Sequence, residues 1–353
     1  MITSENNKNN YISIAKAIGI ILMVIGHSGS PTIVCRFLYL FHMPLFFFCS
    51  GYFFKDISGE SNLKMFCVKR VKGLYWPYLK WSLLFLLLHN VFCYFNIYNY
   101  LSNISYYCAR DYIVHFLKTV LMTDYELLLR PFWFIKALLY SSLFVAIISY
   151  LCIKVFKKSK IKQLLFLMMV LSMFLKYNRV ELPLLGDLSI ISFGVVFFCS
   201  GTLYRRYEYY FPYTISLFVL TFVIVMGGSF FIKGEIDMRY VTIDTIIPYY
   251  ILAITGIVMT FTLSSLIDKI SVSHSFYFVG NHTMIILVFN LLALKVGNIL
   301  KIYYYDLSII NLASYPIIRE NNELFWIVYA ICGISLPLIF NVLTSYICMM
   351  IKK

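Results

Sequence analysis

Long apolar runs alternate with short polar segments along the whole chain. A helix that rises 1.5 Å per residue needs about 20 residues to cross a hydrocarbon core of about 30 Å, and each run approaches this length. The pattern therefore predicts an all-α integral membrane protein, a bundle of about ten transmembrane helices that forms a single domain over residues 1–353. The predicted spans cover residues 11–28, 33–54, 76–95, 132–153, 163–179, 188–204, 211–232, 246–267, 277–298 and 324–350.

The composition agrees with lipid as the solvent for most of the surface. Hydrophobic residues make up 61% of the chain and charged residues 13%, whereas soluble domains carry about 25% charged residues. The first ten residues are polar and lack the residue order of a cleaved signal peptide, so the first apolar run is expected to remain as a helix. The nine cysteines show no ligand spacing, and we predict neither a disulfide nor a metal site.

The net charge of +14 is concentrated in short loops between the apolar runs. Basic loops are retained on the cytoplasmic side of a membrane, which places residues 55–72 and 154–162 there. With ten spans, Arg205, Arg206 and the C-terminal lysines fall on the same side, so both termini are predicted to be cytoplasmic. Since no basic face is interleaved with exposed aromatic residues, we expect no nucleic-acid partner.

The longest connection, residues 96–131, would face outward under this topology. It holds His115, Asp124, Glu126 and Arg130 among apolar and aromatic residues. Two interpretations are open. The segment is either an amphipathic element that lies along the membrane interface or a part of a binding site on the outer face.

The first span carries two basic residues, Lys16 and His27, on either side of an apolar stretch. Eleven residues at about 100° each bring their side chains to within about 20° of one helix face and about 16 Å apart along the axis. Histidine is suited to proton transfer near neutral pH. Two alternatives are that His27 bonds a backbone carbonyl at the helix end and that Lys16 extends to the lipid headgroups.

The second span contains His42 beside Pro44 inside an aromatic run. An ionisable group at membrane depth is a candidate functional residue, although a hydrogen-bonded core histidine fits the same pattern. A short sequence similarity also relates this span to the sixth. Both end on Phe-Cys-Ser-Gly, at residues 48–51 and 198–201. The similarity is too short to establish a repeat, but small residues at these positions permit close helix approach.

The first eighty residues contain four motifs in a fixed order. They are Lys16-x10-His27, Phe41-His42-Met43-Pro44-Leu45-Phe46, Ser50-Gly51-Tyr52-Phe53 and Lys69-Arg70-Val71-Lys72-Gly73-Leu74-Tyr75-Trp76-Pro77-Tyr78. Their order and spacing resemble the membrane-bound acyltransferase-3 family, and the resemblance extends over nearly the full length, with weaker similarity at residues 132–135 and 278–283.

The resemblance implies an O-acyltransferase of the bacterial cytoplasmic (inner) membrane. Such a protein takes an acyl group, usually acetyl, from cytoplasmic acyl-CoA and transfers it to a sugar hydroxyl of a surface polysaccharide or its lipid-linked precursor. By this resemblance His27 is the catalytic histidine, Lys16 is its basic partner, and Lys69, Arg70 and Lys72 bind the donor phosphates. His42 is a further catalytic candidate, and Trp133 and Glu126 are the candidates for acceptor binding.

Three positions depart from the family pattern, which often has Asp at position 13, Arg at position 16 and His at position 290. Here they are Ser13, Lys16 and Asn290. Lysine keeps the charge of arginine but loses its bidentate fork, and asparagine cannot act as a base. Two alternative functions follow from the sequence: a transporter or flippase of glycan precursors, and a catalytically inactive partner protein built on the same scaffold.

Overall fold

The computed structural model describes residues 2–182, 184–232, 237–238, 245–321 and 323–351. These form a helical bundle with one small antiparallel hairpin, in which β1 (Glu181–Leu182) pairs with β2 (Gly186–Asp187). The α-helices are α1 (Ile2–His27), α2 (Thr32–Tyr39), α3 (His42–Tyr52), α4 (Glu60–Arg70), α5 (Trp76–Leu87), α6 (His89–Tyr94), α7 (Ala109–Val120), α8 (Trp133–Phe156), α9 (Ile161–Asn178), α10 (Leu188–Tyr207), α11 (Ile215–Phe231), α12 (Ile246–Ile267), α13 (Ser273–Asn281), α14 (Thr283–Tyr305) and α15 (Phe325–Ile351).

Within the described residues, 8 stretches are long and apolar enough to cross a membrane. They match eight of the predicted spans, so the multi-pass membrane class is confirmed. The other two spans are shorter in the structure. The predicted span 76–95 is divided at Leu88 into α5 and α6, and α11 has 17 residues. The count of ten and the cytoplasmic location of the termini therefore stay predictions.

Two predicted spans contain breaks that change their boundaries. The span 33–54 consists of α2 and α3, because a new helix begins at His42 with Pro44 in its first turn, where a missing N–H removes no helical hydrogen bond. The predicted span 277–298 is also divided. α13 ends at Asn281, and the long helix α14 runs from Thr283 to Tyr305.

The backbones of α3 and α10 are in direct contact. A Cβ atom at Gly51 would overlap the carbonyl oxygen of Phe198, and one at Gly201 would overlap that of Phe48. The Thr202 hydroxyl donates to the Gly51 carbonyl oxygen at 2.9 Å. The contact is reciprocal between the two similar segments, so the close approach expected from their small residues is confirmed.

Three polar connections meet at one end of the bundle, which we call the basic end. Arg206, in the last turn of α10, donates to the carboxylate of Asp56 at 2.7 Å. Ser159, between α8 and α9, donates to the same carboxylate at 3.0 Å. At this end Glu208 also accepts hydrogen bonds from Tyr11 and Tyr52. The basic loops predicted to share one side of the membrane therefore lie together.

Candidate functional site

Helix α1 is continuous from the basic end to His27, so the predicted alignment of Lys16 with His27 on one face holds. Lys16, Ile20 and Met23 line a cavity of about 260 Å³. His27 continues the same face one turn beyond Met23. Helices α3, α8 and α14 complete the walls of this space, which we call the central cavity.

The central cavity has mainly apolar walls and few polar groups. One is the side chain of Lys16, and another is the Ser50 hydroxyl on α3. The Ser50 oxygen is buried and has no hydrogen-bond partner among the described residues. Buried polar atoms are nearly always paired, so an unpaired hydroxyl in a cavity wall suits an occupant with its own polar group. A slender, mostly apolar chain with occasional amide groups has these properties.

His27 and His42 lie close enough for their imidazole rings to interact electrostatically. His42 is 3% exposed, and its Nδ1 lies 2.7 Å from the Leu38 carbonyl oxygen. A carbonyl oxygen only accepts, so Nδ1 is the donor and the neutral ring keeps the lone pair on Nε2. Within the described part of the chain, the His27 imidazole makes no hydrogen bond or ion pair, so the alternative in which it bonds a backbone carbonyl is not observed there.

Tyr39, at the end of α2, connects the two histidines. Its ring meets the His42 ring edge-on at a centroid distance of 5.0 Å, and its hydroxyl donates to the carbonyl oxygen of Gly26 at 3.3 Å. The central cavity borders the same region, because Met43 directly follows His42 and Met23 lies one turn before His27. The histidine pair therefore stands at the end of the cavity that is farthest from Lys16. We call this end of the bundle the histidine end.

The three candidate donor-binding cations are divided between two faces. Lys69 and Lys72 are exposed on one surface of α4 and the turn that follows it, where Lys64 joins them. Arg70 is partly buried and points inward, with its guanidinium 5.0 Å from the centroid of Phe66 and 5.8 Å from that of Phe198. Burial lowers the pKa of Arg70 to about 10, so it remains a cation at neutral pH.

The two candidate acceptor-binding residues occupy different places. Glu126 lines a second cavity at the histidine end and pairs with His89 on α6 at 3.1 Å. Trp133 begins α8 and is not among the residues that line this cavity. Its ring centroid lies 6.4 Å from that of Phe134. The structure thus places Glu126, but not Trp133, in the lining of this cavity.

Two of the three departures from the family pattern, Ser13 and Asn290, have local partners. The Ser13 hydroxyl lies 3.5 Å from the side-chain oxygen of Asn281 and connects α1 to α13. The Asn290 amide is buried and donates to the carbonyl oxygens of Ile286 and Leu287, at 3.1 and 2.7 Å. Asn290 is therefore held by its own helix, in a position where it has no acid or base function.

Sequence reasoning did not single out Tyr39 or assign a role to Ser50. Tyrosine occurs 30 times in this chain, so one more beside an aromatic run carries no signal. In the sequence Ser50 stood out only as a small residue of segment 48–51 and as the first residue of a family motif, without a role of its own. Its unpaired hydroxyl becomes apparent only once helices α1, α3, α8 and α14 surround it.

The bundle and the histidine pair define a multi-pass membrane protein with an internal cavity that leads to a candidate base. The acyltransferase-3 family model, described as an acyltransferase domain, matches residues 9–346. The chain belongs to this family, which confirms the resemblance seen in its motifs and supports an acyltransferase activity. Searches of curated proteins and of solved structures found no significant match.

Proposed function

We propose that the protein is an O-acetyltransferase that carries an acetyl group from acetyl-CoA to a sugar hydroxyl of a surface polysaccharide or its lipid-linked precursor. The observation that carries the proposal is the central cavity, which runs from Lys16 to the methionines beside His27 and His42. It offers a path through the apolar bundle between the basic end and a candidate base. The bacterial inner membrane, with the basic end in the cytoplasm, provides acetyl-CoA on the required side.

In this proposal the cations of the basic end hold the anionic donor. Arg70 can bind a phosphate bidentately, whereas Lys69 and Lys72 act as point charges on the exposed face. The pantetheine arm of the donor enters the central cavity. There its amide groups can pair with the Ser50 hydroxyl, and Lys16 supplies a positive charge near the entrance.

The histidine pair supplies the acid and base chemistry. His27 removes the proton of the sugar hydroxyl while the hydroxyl oxygen attacks the thioester carbonyl carbon. The new C–O bond forms and the C–S bond breaks, after which the protonated base can return its proton to the departing thiolate. His42, held by Leu38, orients its Nε2 lone pair in the same region. The His42 lone pair stabilises the positive charge that develops on His27.

The substrate class is tested by mass spectrometry of surface glycans and lipid-linked intermediates. We compare host cells that express the protein with cells that carry an empty vector. A mass increase of one acetyl group, found only with the protein, is the expected result. Glycans that change in amount or location but never in mass would instead identify a transporter of glycan precursors.

Filling the central cavity should block donor binding. We expect Ser50→Phe to raise the KM for acetyl-CoA by at least about tenfold, because a phenyl ring at position 50 occupies the central cavity and leaves no room for the pantetheine arm. The matched variant Ser50→Ala keeps the space and removes only the hydroxyl, so its KM should change much less. Initial rates of acetyl transfer by purified protein measure both. Equal KM values for Ser50→Phe and the parent protein would show that the donor binds elsewhere.

A further inference from the structure

A second cavity, of about 210 Å³, lies at the histidine end. It is lined by residues of the segment 96–131, which the sequence predicts to be either an interfacial element or part of a binding site. We call it the polar cavity. In contrast to the central cavity, most of its exposed lining is polar. The side chains that matter for the argument are Asn103, Tyr107, His115, Asp124, Glu126 and Arg130.

The carboxylates of the polar cavity are held in place by two histidines. His115 Nδ1 lies 3.1 Å from an Asp124 oxygen, and His89 Nδ1 lies 3.1 Å from both oxygens of Glu126. The Tyr107 ring is sandwiched between the two imidazoles, with centroid distances of 3.4 and 4.5 Å and nearly parallel planes. This stack fixes the two imidazoles, which in turn hold the carboxylates of Asp124 and Glu126 in place without a ligand. Each carboxylate retains lone pairs that no histidine uses.

A line of contacts connects the polar cavity with the histidine pair. The Arg130 guanidinium lies 5.1 Å from the ring centroid of Tyr315. Tyr315 is near enough to Tyr39 to interact with it electrostatically, and Tyr39 packs against His42. Arg130 is thereby linked through two tyrosines to His42, beside the candidate base.

We propose that the polar cavity binds a neutral sugar ring of the acceptor glycan, an assignment that rests on the proposed acetyl transfer to a sugar. Sugar hydroxyls can donate to the carboxylates of Asp124 and Glu126 and accept from Arg130, giving charge-assisted hydrogen bonds. The lining carries two carboxylates and one arginine, and Lys118 lies 3.8 Å from Asp124 as a second cation. With its charges nearly balanced, the cavity has no surplus of cations for an anionic sugar. The volume is below the roughly 300–1,000 Å³ of clefts for drug-sized ligands, so the cavity admits a single ring.

Binding is measured without any transfer step, by saturation-transfer NMR on the full chain in lipid nanodiscs. The probes are the methyl glycosides of glucose, galactose and N-acetylglucosamine, with methyl glucuronide as the anionic comparison. We expect at least one neutral glycoside to bind more tightly than the glucuronide. Asp124→Asn and Arg130→Gln should each weaken this binding by about tenfold or more, because each removes a charge-assisted hydrogen bond. Both side chains are partly exposed, so these variants should fold.

Two matched variants test for nonspecific effects. Arg110→Gln on α7 and Glu181→Gln in β1 change exposed charges outside the cavity lining and should bind like the parent protein. Preference for the glucuronide, absence of neutral glycoside binding, or wild-type binding by both cavity variants would each overturn the assignment. His27→Ala should still bind the glycoside. If the parent protein binds sugar but never transfers acetyl, the proposed function fails while the subsite stands.

Discussion

Replacing His27 by alanine is expected to abolish measurable acetyl transfer. Removal of a general base lowers a rate by about 10² to 10⁴, and the structure offers only His42 as a neighbouring imidazole at this end of α1 within the described residues. The measurement is the initial rate of acetyl transfer from acetyl-CoA to a membrane glycan fraction at equal amounts of purified protein. The KM for acetyl-CoA should change little, since the donor cavity ends before His27.

His274→Ala is the matched control, because His274 is exposed and lies outside the lining of both cavities. Its rate should equal that of the parent protein. Full activity of His27→Ala together with loss of activity in His42→Ala would transfer the role of base to His42. Full activity of both variants would remove the histidine pair from the mechanism.

Adding one methyl group at Gly51 or Gly201 is expected to destabilise the bundle severely. Overpacking usually costs about 1 to 3 kcal/mol. Here the added Cβ meets a backbone carbonyl oxygen on the neighbouring helix, which cannot move aside as a side chain can, so we expect about 3 kcal/mol or more. Thermal unfolding of Gly51→Ala and Gly201→Ala in detergent, with the yield of monodisperse protein, measures the effect.

Gly227→Ala provides the comparison within the same class of substitution. A Cβ at Gly227 on α11 would meet no atom within 4 Å, and alanine is the better helix former by roughly 0.5 to 1 kcal/mol. This variant should unfold at the same temperature as the parent protein or higher. Unfolding of Gly51→Ala at the parent temperature would contradict the direct backbone contact between α3 and α10.

Apolar run length proved a good guide to the membrane helices but a poor guide to their interruptions. Eight predicted spans reappear because burial of backbone polar groups in lipid requires helical hydrogen bonding over the whole thickness. The breaks at Leu88 and His282 coincide with short polar groups, residues 89–90 and 281–283, inside otherwise apolar sequence. A short polar group does not by itself end a helix, since Ser141-Ser142 lies inside the continuous helix α8. Only the packing of neighbouring helices therefore reveals where a helix stops.

For the candidate site, too, the sequence predicts some features and only the structure shows the others. The common face of Lys16 and His27 follows from helical periodicity alone, since both residues belong to one uninterrupted helix. The proximity of His42, and the stack of His89, Tyr107 and His115, join residues from different elements. No spacing within one element encodes these contacts. The separation of Arg70 from Lys69 and Lys72, in contrast, follows the helical period. Steps of about 100° per residue place Lys69 and Lys72 about 60° apart, and Arg70 about 100° or more from both.

The sequence by itself determined the membrane class, the family, the grouping of basic loops at one end and the alignment of Lys16 with His27. All of these depend on composition, motif order or the period of a single helix, which are local properties. The tertiary structure alone decided that Ser50 is an unpaired hydroxyl in a cavity wall and that Glu126 and Asp124 line a polar cavity. Cavities and unpaired groups arise where several helices meet, and the position of each wall depends on contacts between residues far apart in the chain.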